Sequence, residues 1–473
     1  MPTLGELIAR VSPQYSTSLS MQVEGAVNAR ITDVTFDSRA VRRGSIFCCV
    51  RGARHDGHQF AKQAVSDGAV AVVADHRLDA VDVPQILTND TRRAMGHLAA
   101  AFYNHPSRIL TVVGVTGTNG KTTTAHMLGA VMTQAGHRTT VLGTLSGTRT
   151  TPEAPELQRT LADEASKGTS AVVMEVSSHA LALQRVAGMQ FAAAIFTNLG
   201  HDHLDFHQTH DAYLAAKASL FSSDYTSRGV VNRDDPYGRK IADNATVKFA
   251  TFGRSDATDI AVDVRGSSFS WRGARIRTTV GGDFNVLNAL AAATAASELG
   301  ISLGDIAGGL GNVSPISGRF ENVNAEGEFA VLVDYAHTPE ALRNVISAAR
   351  QVAQGRVVVV FGCGGDRDAS KRPEMGAAAC AADQVIVTSD NPRSENPPDI
   401  ITAIMGGVAG SDRGKVTVEI DRRRAIELAC TTATRGDVVV IAGRGHETMQ
   451  SAGGSEIAFS DAVVAREVLR GAR

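Results

Sequence analysis

"GVTGTNGKTTT", residues 114–124, decides the fold class. It follows the apolar run "ILTVVGV" (109–115) and opens a helical pattern from Lys121 to Ala135 that closes on Gly136. A glycine turn between a buried strand and a helix aims several backbone N–H groups at one point. The helix N-terminus adds positive potential there, so the turn suits an anion. The common phosphate loop, G-x-x-x-x-G-K-[ST], needs glycine where Val115 stands, and glycines fall instead at Gly114, Gly117 and Gly120. Lys121 still sits where it reaches β- and γ-phosphates, and the Thr122 hydroxyl where it meets magnesium. A tight turn with a solvated lysine is the plainer alternative, but it gives no reason for strand, motif and helix to coincide.

Outward from the loop, strand-like runs alternate with helical ones: "TTVLGT", "SAVVMEV", "AAAIFTN" and "GVVNRDD". This predicts an α/β fold with a doubly wound, mainly parallel sheet. After "NVSPISGRFE" (312–321) the alternation resumes with "FAVLVDYAH", "RVVVVFGCGG", "QVIVTSD", "KVTVEI" and "DVVVIAG", a second Rossmann-like sheet. Before "YNHPS" (103–107), "RITDVTFDSRAV", "GSIFCCV", "HQFAKQAVSDG" and "AVAVVAD" make a small α/β unit. The expected units are 1–106, 107–316 and 317–473, matching the roughly three domains that 473 residues imply.

The formal charge of −2, from 47 basic and 49 acidic residues, argues against nucleic-acid binding, so anion recognition is local. No apolar stretch approaches the roughly 18 residues that span a bilayer, and the first residues do not read as a signal peptide. Five cysteines without C-x-x-C spacing read as reduced thiols of a soluble cytoplasmic chain, expected to be a monomer without membrane insertion.

Three further features carry chemistry. Glu175, in "VVMEVSSHA", falls at the C-terminal lip of a strand, where open sheets gather ligands, and suits a magnesium ligand near Thr122. "TNLGHDHLDFHQTH" (197–210) holds four histidines. His201, His203 and Asp205 begin a binuclear zinc pattern, but Phe206 displaces its last histidine. A hard divalent ion held mainly by phosphate oxygens, with one histidine ligand, fits better. Lys217, in "AYLAAKASLF", reads from its neighbours alone as a helix lysine reaching for solvent.

Together "TGTNGKTTT", "EVSSHAL", "TNLGHDHLDFH", "YLAAKASLF", "FNVLNALAA", "GRFE", "DYAHTPEAL", "GGDRDASKRPEM", "DNPR" and "GRGHE" resemble the Mur ligase family, most closely its members that add the third residue of the peptidoglycan stem. "DSRAVRRGSIFCCVRGARHDGHQF" resembles the family's uridine-nucleotide domain, so the likeness spans the chain. The resemblance implies phosphoryl transfer from ATP to a substrate carboxylate, then attack by an amine to give an amide, ADP and phosphate. Such chemistry needs alignment, charge neutralisation and exclusion of water.

Carried over by residue, the resemblance implies that Gly117, Thr118, Asn119, Gly120, Lys121, Thr122 and Thr123 cradle the triphosphate and that Asn288 contacts adenine. It makes Glu175 and His203 ligands of Mg2+ beside Thr122, and Lys217 a carbamylated lysine that helps hold a second ion. Arg319, Asp334 and His337 match residues that close on ATP. Ser38, Thr150, Thr151, Ser177 and Arg185 match the nucleotide-sugar contacts, UDP-N-acetylmuramoyl-dipeptide being the implied substrate. Leu183 stands where the family often has glutamine. Asp390, Asn391, Pro392 and Arg393 resemble the signature selecting meso-diaminopimelate, assisted by Arg367, with Gly443 and Glu447 receiving the amino-acid end. An arginine fork pairs with the second carboxylate of that substrate, and lysine offers no such group.

Four other readings compete. A ligase using L-lysine would not reward Arg393. A folylpolyglutamate-synthase-like ligase lacks a comparable uridine domain. An NAD-dependent dehydrogenase needs G-x-G-x-x-G where Gly362, Gly364 and Gly365 are spaced differently. A non-catalytic nucleotide switch would not need two site-bearing segments flanking the loop.

Overall fold

Valine-rich runs become the buried strands of three sheets in the computed structural model, which describes residues 1–52, 55–324 and 326–471. Ala53 and Arg54, within the uridine-domain-like stretch, lie outside the described residues. The N-terminal unit is a five-stranded sheet in the order Gln22–Glu24, Gln85–Leu87, Ala71–Ala74, Ser45–Cys48, Asp33–Thr35. Its first pair is antiparallel and the rest parallel.

The central sheet has six parallel strands in the order Lys248–Phe252, Arg228–Asn232, Ala193–Phe196, Thr111–Thr116, Ala171–Glu175, Thr139–Leu142. Thr111–Thr116 lies mid-sheet, and the chain builds first to one side of it and then to the other. That reversal opens a crevice at the strands' C-terminal ends, where the glycine loop sits. Helix Lys121–Gln134 packs against Phe284–Glu298 and Leu303–Gly311. Alanines along Phe284–Glu298, and Gly309 against the Val131 backbone, allow that close approach.

Sequence patterning did not anticipate the three-stranded antiparallel sheet Thr258–Val262, Ser267–Trp271, Ala274–Thr278. Two of its strands alternate serine or arginine with single apolar residues, and the apolar side chains they bury are Phe269, Trp271 and Ile276.

The C-terminal sheet runs Glu321–Asn322, Ala330–Asp334, Val438–Ala442, Val357–Phe361, Gln384–Val387, Val416–Val418, antiparallel only at its first pair. The strand Val357–Phe361 ends well before the next helix, which starts at Arg372. No glycine turn therefore runs directly into a helix, as dinucleotide binding requires. All five cysteines are free, and four are buried. Among the described residues no helix is long and apolar enough to cross a membrane.

His97 is buried in helix Thr91–Phe102, its ring 4.0 Å from that of Tyr15. Burial pushes its imidazole down to about 4. The unfolded chain therefore binds the proton more readily, and this contribution to stability is full above about pH 6.5 and lost as pH falls toward 4. The expected loss from this residue is about 2 kcal/mol by pH 5. Thermal unfolding of wild type and His97→Phe across pH 5–8 checks it: the substitution should flatten the acid limb.

Candidate active site

Gly117 and Gly120 take φ of +151° and +84°, and a Cβ on either would overlap Thr197 Oγ1 or Asn288 Oδ1 respectively. Glycine is thus required twice in this turn. The Lys121 ammonium folds over the loop, donating to the Gly117 and Thr118 carbonyls at 3.0 and 2.9 Å. Thr197 and Asn198, ending the neighbouring strand, fix the Asn119 backbone: Thr197 Oγ1 donates to its carbonyl at 2.6 Å, and its N–H donates to Asn198 Oδ1 at 2.9 Å. Gly117→Ala is expected to raise the KM for ATP by at least about tenfold while the fold survives, since strain and overlap fall on the loop. ATP titration of the variant, with its melting temperature as control, checks this.

Glu175 ends its strand within reach of three donors. Thr122 Oγ1 lies at 3.0 Å from Oε2, the Thr144 N–H at 2.8 Å from Oε1, and Thr144 Oγ1 at 3.2 Å from Oε2. No lysine or arginine among the described residues ion-pairs with this buried carboxylate. Thr123 is buried at the start of the same helix. Asn288 is buried across the loop, donating to Asn285 Oδ1 at 2.7 Å.

The histidines of 197–210 diverge. His207 stacks near Tyr213, and His201 points to Asp368 at 3.7 Å. His203 lies 3.4 Å from Asp202. The zinc reading has no converging ligand set there: the His/Asp group that converges among the described residues is His58, Asp75 and His76 in the N-terminal unit. Burial, opposed by Asp202, pushes His203 down to about 3.

Sequence reasoning missed Asp202, although it lies inside a stretch quoted for its histidines. Burial alone would raise its pKa, but His337, His203 and Lys371 outweigh that and hold it well below the usual carboxylate range. His337 Nε2 lies 3.5 Å and Lys371 Nζ 3.7 Å away, so a central-unit loop meets the C-terminal unit here. Only the acid-base partners, invisible in a linear reading, single it out.

Lys217 is a correction to the reading from its neighbours. Its side chain is 1% exposed, not solvated, because helix His210–Ala218 turns it inward. Nζ donates to Gly117 O at 2.8 Å and lies 4.5 Å from the Tyr213 ring centre. Burial, with Lys121 adding to it, pulls the ammonium well below its usual range.

From the C-terminal unit, Arg319 Nη2 donates to Thr122 Oγ1 at 2.9 Å while its guanidinium lies 4.6 Å from the Tyr335 ring centre. Asp334 accepts from the Phe320 N–H at 2.7 Å, and burial raises its pKa. His337 Nδ1 is 2.8 Å from the Tyr335 carbonyl, which orients the ring toward Asp202.

A second cavity of about 330 Å³ opens beside the loop cleft. Arg367, Asp390, Asn391, Arg393, Gly443 and Glu447 line it. Pro392 backs it, and its carbonyl would meet any Cβ on Gly365. Asn391 Nδ2 donates to Glu447 Oε2 at 2.6 Å, and Arg393 Nη1 to Gly365 O at 2.5 Å. Burial raises the pKa of both Asp390 and Glu447, and the Asp390 carboxylate adds to the rise at Glu447. Gly443, at φ +110°, leaves room for the Asp390 carboxylate.

Thr150 and Ser177 line the loop cleft. Thr151 Oγ1 donates to the Glu175 carbonyl at 3.0 Å, and the Ser177 N–H donates to Thr151 Oγ1 at 3.1 Å. Arg185 lies 2.9 Å from Glu153, which also meets Arg92 at 3.3 Å. Leu183 contributes its carbonyl to Arg92 at 3.4 Å. Ser38 stands apart, opening the one-turn helix Ser38–Ala40 in the N-terminal unit, outside the lining of the cleft.

The two cavities adjoin: Asp202, His203, Tyr335, His337 and Arg367 line both. Three family descriptions match in order along the chain: "Mur ligase family, catalytic domain" at 30–103, "Mur ligase middle domain" at 115–296 and "Mur ligase, glutamate ligase domain" at 318–445. The UDP-N-acetylmuramoyl-L-alanyl-D-glutamate--2,6-diaminopimelate ligase of Syntrophomonas wolfei is 44% identical over 471 residues, covering 95% of this chain and 96% of that protein. The chain belongs to the Mur ligase family. The protein of the same name from Gloeobacter violaceus is 45% identical, covering 93% of this Mur ligase and 94% of its relative. A solved structure of a protein also so named superposes with a TM-score of 0.68 at 31% identity, covering 95% and 97% of the two chains. A folylpolyglutamate synthase from Mycobacterium tuberculosis shares the Mur ligase fold at a TM-score of 0.60 and 17% identity, covering 79% of this chain and 94% of that one.

Proposed function

We propose that this Mur ligase joins meso-diaminopimelate to UDP-N-acetylmuramoyl-L-alanyl-D-glutamate in the cytoplasm, with ATP converted to ADP and phosphate through an acyl phosphate. The observation that carries this reading is the shared wall of the two cavities, because an activated carboxyl and an incoming amine must meet where a phosphate loop and an acid-lined amino-acid pocket adjoin. Family membership and relatives of that name support it. We also take residues 106 and 316 as the limits between units, where sheet membership changes.

In this reading the loop N–H groups and Lys121 hold the β- and γ-phosphates, and Asn288 faces the adenine side. Arg319 and His337 arrive from the C-terminal unit to neutralise the phosphoryl oxygens, with Asp334 orienting the Arg319 segment through the Phe320 N–H. Ser38, Thr150, Thr151, Ser177 and Arg185 position the nucleotide dipeptide so that its D-glutamyl carboxylate faces the γ-phosphate.

Thr122, Glu175, His203 and Lys217 fit Mg2+. Glu175 is a buried carboxylate that accepts from the Thr122 hydroxyl at 3.0 Å and forms no salt bridge with a lysine or arginine among the described residues, so it offers oxygen ligands to a hard divalent ion. Bound magnesium supplies charge neutralisation between two anions that must approach. A buried amine with a lowered pKa is the form that adds CO2, losing a proton as the carbamate forms, which turns Lys217 from donor to acceptor. In the second cavity, Asp390 and Glu447 receive the ammonium of the amino acid and Arg393, with Arg367, its distal carboxylate. An assay of ADP release with all reactants tests the reading: turnover should require the nucleotide dipeptide and meso-diaminopimelate, and L-lysine should be a far poorer acceptor. Equal use of lysine would refute the assigned selectivity.

A further inference from the structure

Arg393 takes a left-handed φ of +52°, unusual for a side chain of its size; the Glu395 N–H closes a turn around it on the Pro392 carbonyl at 2.9 Å, and the loop takes further support from outside. The support is the hairpin Met449–Ala452 paired with Ser455–Ala458. Gln450 Nε2 donates to Asp390 O at 2.5 Å, and the Ser451 N–H donates to Asn391 Oδ1 at 2.9 Å. Arg393 N–H donates to Ser451 O at 2.9 Å, and Gly453 N–H to Arg393 O at 2.8 Å, making a short β-bridge. These four hydrogen bonds all fall on Asp390, Asn391 or Arg393. The base of the hairpin is itself pinned: fully buried Arg444 donates to Met449 O at 2.7 Å and Phe459 O at 3.1 Å.

We propose that this hairpin is the specificity frame of the amino-acid pocket, with Ser451 and Gln450 as positioning residues that aim the Arg393 guanidinium at the distal carboxylate of the incoming diamino diacid. The inference rests on the ligase reading above. Without the bridge, Arg393 relaxes to right-handed backbone and its fork leaves the pocket, so binding of the diacid weakens while the ATP cleft, built from other elements, is untouched. Asn391 also loses the donor that fixes its amide orientation toward Glu447.

The Ser451 N–H and C=O both face the Asp390–Arg393 loop, so proline there removes the donor while sparing the hairpin's own ladder. In Ser451→Pro, kcat/KM for meso-diaminopimelate relative to L-lysine is expected to fall by about tenfold or more, with the KM for ATP within about twofold of wild type. Ser451→Ala, which keeps the N–H, should restore the wild-type ratio. Gln450→Ala, scored in the same way and with an unchanged melting temperature, guards against misfolding of the proline variant. A wild-type ratio in both Ser451→Pro and Gln450→Ala overturns the inference. Wild-type enzyme that itself fails to discriminate the two amines would instead sink the ligase reading of Arg393, so the two failures are distinct.

Discussion

Lys217→Ala is expected to lower kcat by at least about 10³-fold while leaving the melting temperature within a few degrees. The lysine makes one hydrogen bond, to Gly117 O, and sits over Tyr213, so alanine leaves a modest hole in a polar region. The loss of rate would come from the anion that the carbamate supplies beside the phosphate loop. Acetate or formate, small enough to enter the space, should restore part of the activity in a saturable way. Activity that survives the substitution, or that no short carboxylate restores, would show that Lys217 only packs.

Arg393→Ala should cut kcat/KM for meso-diaminopimelate by about 30- to 10³-fold, the usual consequence of leaving a buried carboxylate without its charged partner. Use of L-lysine should change little, since that amine has no distal carboxylate to lose a partner. The KM for ATP should stay near wild type, because Arg393 lines the second cavity and not the loop cleft. Steady-state kinetics with each amine separates the outcomes, and parallel losses for both amines and ATP would mean that the arginine supports the fold of its loop.

The parallel sheets were legible because runs such as Val112–Val115 and Val357–Phe361 are buried on both faces and read as unbroken apolar stretches. The phosphate loop was legible because its glycine positions serve a backbone need that no other residue meets. The antiparallel sheet at 258–278 was not, because half-exposed serine-rich strands carry little apolar signal. The hairpin at 449–458 was hidden for the same reason: its residues are mostly exposed and its hydrogen bonds reach a loop distant in sequence. Lys217 read as solvated because local apolar neighbours do not reveal which helix face turns inward. Asp202 was hidden by its surroundings, since its role arises from His337 and Lys371, which only folding brings to it.

The central claim is that the γ-phosphate of ATP passes to a substrate carboxylate where the loop cleft joins the amino-acid cavity. Isotope transfer tests it most directly. With the D-glutamyl carboxylates of the nucleotide dipeptide labelled with ¹⁸O, each turnover with meso-diaminopimelate should deliver one labelled oxygen to the released phosphate, because the acyl phosphate breaks at its carbonyl carbon. Phosphate free of label, formed at the same rate as the amide, would contradict an acyl phosphate and the account built on it.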